Sequence, residues 1–206
     1  MDLTFLARGL AVGFTVAAAV GPISLLTIRR TLAHGRLYGL VSGLGVALAD
    51  ASYGGIAAFG LTAITSVLVG ARVVLGVVGG AFLVWLAIGT IRARPAEAAQ
   101  TDDRPGLAAA FLSIYGLTMT NPMTILSFAG IFAGLGLAGH GGTEAALLTL
   151  GVFLGSSLWW VGLTAVVGRL RDRVTPRALV WVNRVSGAIL FVFGLVAIGA
   201  AIGFAA

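Results

Sequence analysis

The 206-residue chain consists mainly of long apolar segments joined by short polar stretches. Six of the segments are long enough for a helix to cross the ~30 Å hydrocarbon core of a bilayer. They cover about residues 4–28, 38–64, 72–91, 107–137, 145–167 and 182–203. Only 10% of the residues are charged, whereas a soluble domain carries about 25%. The sequence therefore predicts an all-α integral membrane protein with six transmembrane helices.

The distribution of arginine predicts how these helices are oriented. Eleven of the thirteen basic residues fall on one side of the predicted spans, and only Arg8 and Arg72 fall on the other. The eleven are Arg29, Arg30, Arg36, Arg92, Arg94, Arg104, Arg169, Arg171, Arg173, Arg177 and Arg184. By the positive-inside rule this majority is cytoplasmic, so both termini are expected on the outer side. The net charge of +6 then reflects topology, and no binding to nucleic acid is expected.

The beginning of the chain allows one alternative to a first transmembrane helix. Arg8, an apolar run and Ala17 to Ala19 resemble a signal peptide with its small-residue cleavage site. The apolar run continues past the alanines far enough to span a bilayer, and five further spans follow it. These two features favour a transmembrane helix.

An acid in the second segment is the first candidate for a functional residue. Asp50 lies within LVSGLGVALADASYGG, about a dozen residues from the nearest polar flank on either side. At ~1.5 Å per residue, this distance places the carboxylate near the middle of the bilayer. A carboxylate at that depth costs ~2.5 to 3.5 kcal/mol on insertion scales, and such residues usually face a bundle interior or a watery cavity.

Proline interrupts two of the predicted helices, at Gly21-Pro22 and at Asn121-Pro122. Proline removes a backbone donor and crowds the carbonyl group four residues earlier. In lipid, such a break must be buried in protein or line a cavity. Gly21-Pro22 alone is compatible with an ordinary kink near a helix end, but the counterpart at Asn121-Pro122 favours a functional role.

Polar side chains surround the second break. They are Thr118, Thr120, Asn121 and Thr124. Threonine hydroxyls in a helix often bond to the carbonyl group one turn earlier. The sequence leaves open whether these side chains bond locally or contact a polar ligand.

Glycines at four-residue spacing occur in several spans, such as Gly39 and Gly43, Gly76 and Gly80, and Gly151 and Gly155. This spacing places each pair on one helix face, where small residues let a neighbouring helix approach closely. We therefore expect these faces to be packing surfaces.

One polar linker divides the six spans into two groups of three. The stretch RARPAEAAQTDDRPG, about residues 92–106, contains almost no large apolar side chain and reads as a cytoplasmic loop. Since each group crosses the membrane an odd number of times, the two groups must have opposite orientations. The sequence thus predicts a single transporter domain over residues 1–206, with two inverted three-helix repeats at about 1–91 and 107–206.

Short sequence matches support this internal repeat. GPISLLTI, which begins at Gly21, resembles NPMTILSF, which begins at Asn121. GVALAD, which ends at Asp50, aligns with GVFLGS, which ends at Ser156. Interrupted helices at corresponding places in inverted halves are the best sequence indication of a transporter's central site.

These motifs also carry a family resemblance. GP followed by RR and LYGLVSGLGVALAD in the first half, with TNPMTILSFAGIFAGLG in the second, resembles the LysE/RhtB family of bacterial amino-acid exporters over essentially the whole chain. The resemblance implies a small carrier of the bacterial inner membrane, acting as a homodimer, that exports amino acids or related metabolites using an ion gradient. Many relatives have a lysine after the NP, where this chain has Met123, so any role for that cation is absent here.

The resulting prediction is a secondary exporter whose site lies near the midplane, between the two broken helices and the second helix. Asp50 is expected to bind the coupling proton or the substrate ammonium. The polar contacts to the substrate are expected from Thr120, Asn121 and Thr124. The helix breaks are expected to be held open by Gly21, Pro22 and Pro122. No enzymatic activity, cofactor or metal is expected.

Two alternatives belong to other functional classes. A carrier of metal or inorganic ions would need several oxygen or imidazole ligands at its site. This chain offers one intramembrane carboxylate, two loop histidines and no cysteine. A membrane scaffold without transport activity would account for the glycine faces but would leave Asp50 unexplained.

The predicted topology can be tested with single cysteines, because the chain has none of its own. We expect Ala96→Cys to react with a membrane-impermeant thiol reagent from the cytoplasmic side and Gly139→Cys to react from the outside. Labelling of Ala96→Cys from outside in intact cells would overturn the orientation.

Overall fold

The computed structural model describes residues 2–18, 21–60, 67, 71–92, 106–137, 139–140, 142–170 and 175–203. Within these residues there are eight longer α-helices and no β-strand, which confirms the all-α prediction. The helices are α1 (Thr4–Ala18), α2 (Pro22–His34), α3 (Arg36–Ala58), α4 (Arg72–Arg92), α5 (Leu107–Met119), α6 (Pro122–Gly134), α7 (Gly142–Leu170) and α8 (Pro176–Gly203).

Several of these helices are apolar enough to lie in a membrane. In the described residues, α3, α7 and the Val180–Gly203 part of α8 are each long enough to cross a bilayer alone. Helices α1 and α2 form a fourth crossing if they are counted as one span, which bends by 76° between them. The Val73–Gly89 part of α4 and the whole of α5 are shorter apolar helices. The protein is therefore a multi-pass membrane protein.

The predicted connector between the first two spans is wrong. The basic stretch after Ile28 is helical, since α2 continues to His34 and α3 begins at Arg36. Only Gly35 separates the two helices, and its φ of 98° lies in the left-handed region that favours glycine. Arginine can remain inside a packed helix here because its guanidinium group finds oxygen acceptors on neighbouring helices.

Other boundaries differ from the prediction by one or two turns. The third helix ends at Ala58, before the predicted end at Ile64, which lies outside the described residues. Because Pro176 can occupy the first turn, where its missing N–H has no helical partner, α8 begins there, ahead of the predicted membrane span that starts near Val182. Helix α7 starts at Gly142, and Glu144 lies in its first turn, where an acid interacts favourably with the positive end of the helix dipole.

The break in the fourth span is confirmed. Its first part, α5, ends at Met119, and its second part, α6, begins at Pro122. Between them, the backbone N–H of Asn121 donates to Thr118 O at 3.2 Å, and Asn121 O accepts from the N–H of Thr124 at 3.1 Å. The backbone groups next to the break therefore find partners within the protein, as a low-dielectric environment requires.

Close glycine contacts join α1 to α7. A Cβ atom added at Gly9, Gly13 or Gly155 would collide with the backbone of the facing helix. The residue numbers of the facing residues increase together along both helices, since Gly9 lies against Leu148 and Gly13 against Val152. The two helices are therefore parallel, and the predicted packing role of Gly155 is confirmed.

Two further helix pairs are antiparallel. Gly43 in α3 lies against Trp160 in α7, and Gly54 lies against Val152. Helices α4 and α8 also run in opposite directions, since Gly76 lies against Ala201 and Ala87 lies against Gly187. These contacts bring the middle of α3 against the middle of α7 and place α4 and α8 side by side.

The packing role of glycine in α7 gives a matched pair of variants. Gly155→Ala should destabilise the protein because its Cβ would overlap the backbone of α1, and overpacking typically costs ~1–3 kcal/mol. Gly162→Ala lies on the same helix, where an added Cβ meets nothing within 4 Å, so it should be neutral or slightly stabilising. Thermal unfolding in detergent, followed by size-exclusion fluorescence, measures both. Equal melting temperatures for the two variants would contradict the close contact.

Candidate functional site

A cavity of about 670 Å³ lies where the two helix breaks approach the middle of α3. The first break contributes Gly21 and Pro22, the second contributes Thr120 and Asn121, and α3 contributes Asp50. Thr124 also lines the cavity. Pro122, the seventh residue predicted from the sequence, is the first residue of α6. The fold thus brings the other six together around one space, and their roles stay a prediction.

Asp50 lies at the crossing of α3 and α7 and is only 2% exposed. Ser156 of α7 donates a hydrogen bond from Oγ to Asp50 Oδ2 at 2.7 Å. No group among the described residues donates to the other carboxylate oxygen, Oδ1. Because Asp50 lines the cavity, this carboxylate has one oxygen held by the protein and one available to a ligand or a proton.

The threonines near the second break divide into two kinds. Thr118 Oγ1 donates to Ile114 O at 2.8 Å, and Thr120 Oγ1 donates to Gly116 O at 3.0 Å. The local alternative therefore holds for these two hydroxyls in this conformation. The hydroxyl of Thr124 makes no hydrogen bond within the described part of the chain, so it is the one available to a polar ligand.

The first turns of α2 and α6 both face the cavity. Each of these helices begins at a proline that follows a break, and both Ser24 in α2 and Thr124 in α6 line the space. The first N–H groups of a helix lack partners within that helix, and they form the positive end of its dipole. Two such ends beside one carboxylate create a site with separate regions for an anionic and a cationic group.

Two further side chains contribute around the cavity, and the sequence indicates only one of them, Trp160. Tyr53 donates from its hydroxyl group to the carbonyl oxygen of Met119, which ties α3 to the last residue before the second break. Trp160, 1% exposed, forms part of the wall next to α3. Its position inside a span was a usable sequence signal, whereas nothing in the sequence connects Tyr53 with Met119.

Part of the wall is built from small residues of α4 and α8. Gly76, Gly79 and Gly80 contribute from α4, and alanines contribute from α8. A Cβ at Gly79 would lie 3.1 Å from Thr120 O, so a larger residue there would press on the second break. The spacing of Gly76 and Gly80 predicts a packing surface, and Gly80 does pack on α8. Their contribution to a cavity wall can be recognised only from the fold.

The site contains little charge. Among the described lining residues, Asp50 is the only one with an ionisable acidic or basic side chain. In the described part of the chain, no three His, Cys, Asp or Glu side chains come close enough to hold a metal ion together. The arrangement is that of a membrane protein with an internal cavity whose described lining is mostly apolar and includes one acidic side chain.

Comparisons with known proteins agree with this class. Residues 14–200 match the family model of the LysE type translocator, and the chain belongs to that family of transporters. It is similar to a protein of Escherichia coli (strain K12) named "Uncharacterized membrane protein YahN", with 34% identity over 197 residues that cover 90% of this chain and 86% of the relative. It is also similar to "Putative amino acid efflux protein YcgF" of Bacillus subtilis (strain 168), with 23% identity over 192 residues that cover 90% of each chain. No solved structure matches.

The helix breaks give a test of the site. Pro22→Ala and Pro122→Ala should each leave the protein inserted but reduce transport, because a more continuous helix withdraws first-turn backbone groups from the cavity. Radiolabelled substrate flux in cells at matched membrane abundance measures the effect. Full transport by both variants would mean that the prolines are only tolerated kinks.

Proposed function

We propose that this protein is a proton-coupled exporter of amino acids in the bacterial inner membrane. The observation that carries the proposal is the position of Asp50 in a cavity that both helix breaks also line. Membership in a translocator family and similarity to a protein named for amino acid efflux support export as the activity. The substrate, the coupling ion and the membrane are the parts that this proposal adds.

The charges around the cavity favour a zwitterion with an uncharged side chain. The carboxylate of Asp50 suits the ammonium group of an amino acid, and the N-terminal turns of α2 and α6 suit its carboxylate group. The described wall offers no second acid for a basic side chain and no cation for an acidic one. The other described wall residues include Leu83, Ile131 and Val196, which suit an apolar side chain.

The two oxygens of Asp50 suggest how a proton is coupled to export. Ser156 holds Oδ2, which keeps the carboxylate oriented, while Oδ1 is available to a proton or to the substrate ammonium. If the two ligands compete for this carboxylate, an inward-moving proton replaces a substrate that has left on the outside. Differential binding of this kind lets a gradient drive a conformational cycle.

We also propose that the two halves of the chain form an inverted repeat, and the helix contacts support this. If the halves are related by a two-fold axis in the membrane plane, α1 corresponds to α5, α3 to α7 and α4 to α8. The parallel pair α1 and α7 then has its counterpart in α5 and α3, which are also parallel, since Gly45 faces Phe111 and Tyr53 reaches Met119. The same axis exchanges α3 with α7 and α4 with α8, so it maps each of these antiparallel pairs onto itself.

The position of Asp50 and Ser156 also agrees with such an axis. The two residues end the matching motifs GVALAD and GVFLGS, and they contact each other directly through a 2.7 Å hydrogen bond. Equivalent residues can touch only where a two-fold axis passes between them. We therefore propose that the axis runs through this contact. The distribution of arginine supports the further proposal that both termini lie on the outer side of the membrane.

Substitution of Asp50 tests the coupling role. Asp50→Asn keeps the shape but cannot ionise, and we expect it to insert normally and to abolish gradient-driven export. Asp50→Glu should retain part of the export. Ser156→Ala is the matched control, because it removes one hydrogen bond but leaves the carboxylate, and it should reduce export by about tenfold without abolishing it.

The measurement is the appearance of amino acids outside cells that have been loaded with dipeptides, at matched membrane abundance. Leucine, lysine and glutamate should be compared, and we expect leucine to be exported best. A proton-flux assay with purified protein in liposomes separates a coupled carrier from a scaffold. Wild-type export and pH dependence in the Asp50→Asn protein would reduce Asp50 to a packing residue.

A further inference from the structure

The cavity extends toward only one end of the molecule. Its lining residues from α4 fall between Gly76 and Leu83, in the half nearer the start of that helix. Its lining residues from α8 fall between Phe193 and Ala201, in the half nearer the end. Because α4 and α8 are antiparallel, these halves lie at the same end. The opposite end, which contains most of the arginines, contributes no described lining residue beyond Leu83 and Trp160.

At the arginine-rich end, one side chain joins three helices. Arg30 of α2 donates from Nη1 to Ser42 Oγ in α3 at 3.1 Å and to Ala110 O in α5 at 2.9 Å. Its Nη2 donates to Ser113 Oγ in α5 at 2.8 Å. No carboxylate among the described residues contacts this guanidinium group, so its bonds go to neutral oxygens that belong to other helices.

The preceding residue connects α2 to a fourth helix. Arg29 Nε donates to Asn183 Oδ1 of α8 at 3.0 Å. The two adjacent arginines therefore point to different sides of α2 and connect it to α3, α5 and α8. Hydrogen bonds from a charged donor are about twice as strong as neutral ones, so this set is a strong connection for its small number of residues.

The described part of the second half has no equivalent connection. In the alignment of GPISLLTIRR with NPMTILSFAG, Ala129 and Gly130 occupy the positions of Arg29 and Arg30. A Cβ added at Gly130 would meet nothing within 4 Å, so α6 is not packed against a neighbour there. The corresponding positions of α2 and α6 thus differ in chemistry, since only α2 has side chains that bind neighbouring helices there.

We propose that Arg30 holds the cytoplasmic side of the transport path closed, and that the cavity opens to the cytoplasm only when its bonds to Ser42, Ala110 and Ser113 are released. This inference rests on the proposed function and orientation. Arg30 is a positioning residue, because it acts on the movement of α2 and does not line the cavity. Its absence from the second half biases the protein without substrate toward the outward-open form.

Thiol accessibility tests this inference without any substrate. Val16→Cys in the cysteine-free chain places a reporter in the cavity wall close to the first break. We expect it to react with an impermeant maleimide quickly from the outside and slowly in inside-out vesicles. Arg30→Gln removes the cation that makes three hydrogen bonds, and it should raise the rate in inside-out vesicles by at least about tenfold, the shift expected for the loss of even one hydrogen bond to a charged group.

The matched control is Arg36→Gln, which removes the same charge at the same end. The Arg36 side chain is exposed and makes no hydrogen bond within the described residues, so its removal should leave the labelling rate unchanged. If Arg30→Gln fails to accumulate in the membrane, Ser42→Ala combined with Ser113→Ala decides, because it removes two acceptors and keeps the cation.

The outcomes separate this inference from the proposed function. A higher cytoplasmic labelling rate in Arg30→Gln or in the double serine variant, but not in Arg36→Gln, supports the role of Arg30 whether or not amino acid export is detected. Equal rates in Arg30→Gln and Arg36→Gln overturn it, even for a protein that exports amino acids. If the double serine variant is used, an unchanged rate relative to the parent protein also overturns the role of Arg30.

Discussion

The close antiparallel contact between α3 and α7 is the interaction on which the rest of the site depends. An ionisable side chain at this depth needs a polar partner, and Ser156 reaches Asp50 only because the two helix backbones approach closely. Glycines on α3 permit that approach, since a side chain at Gly43 would press on Trp160. The packing of small residues therefore determines where the single charge of the cavity is held and which of its oxygens is available.

The two broken helices surround this contact in a complementary way. The first of them packs through α1 on α7, and the second packs through α5 on α3. Each break is thus supported by a helix from the other half of the chain. This arrangement satisfies the requirement that interrupted backbone in a membrane faces protein or a cavity. It also brings both helix N-termini to the same cavity as Asp50, which suits a ligand that carries both signs of charge.

The arginines of α2 show that similar halves can have different physical properties. A guanidinium group within a membrane helix is costly unless it finds acceptors, and Arg30 finds them on two other helices. The corresponding region of α6 has only Ala129 and Gly130, which leave it without comparable contacts. In the proposed inverted repeat, a difference of this kind changes the relative free energies of two conformations that the repeat alone would make equivalent.

Much of the architecture and part of the site follow from the sequence alone. Long apolar segments can cover their backbone polar groups in lipid only as helices, and Pro22 and Pro122 must interrupt them wherever they occur. The depth of Asp50 likewise follows from counting residues along an apolar run. These are local properties of the chain, so no knowledge of neighbouring helices is needed to predict them.

The partners of these residues depend on the tertiary structure. Periodicity predicts which face of a helix is packed but not which helix covers it, so the bond from Ser156 to Asp50 and the bond from Tyr53 to Met119 were not predictable. For the same reason, the arginines after Ile28 were assigned to a loop, because burial of a guanidinium group depends on acceptors that are distant in sequence. The sequence by itself determined that the chain is helical and where the two prolines break its helices, and it predicts that Asp50 lies deep in the bilayer. Only the packing of those helices decided what each polar group contacts, since hydrogen bonds between helices require a specific distance and direction.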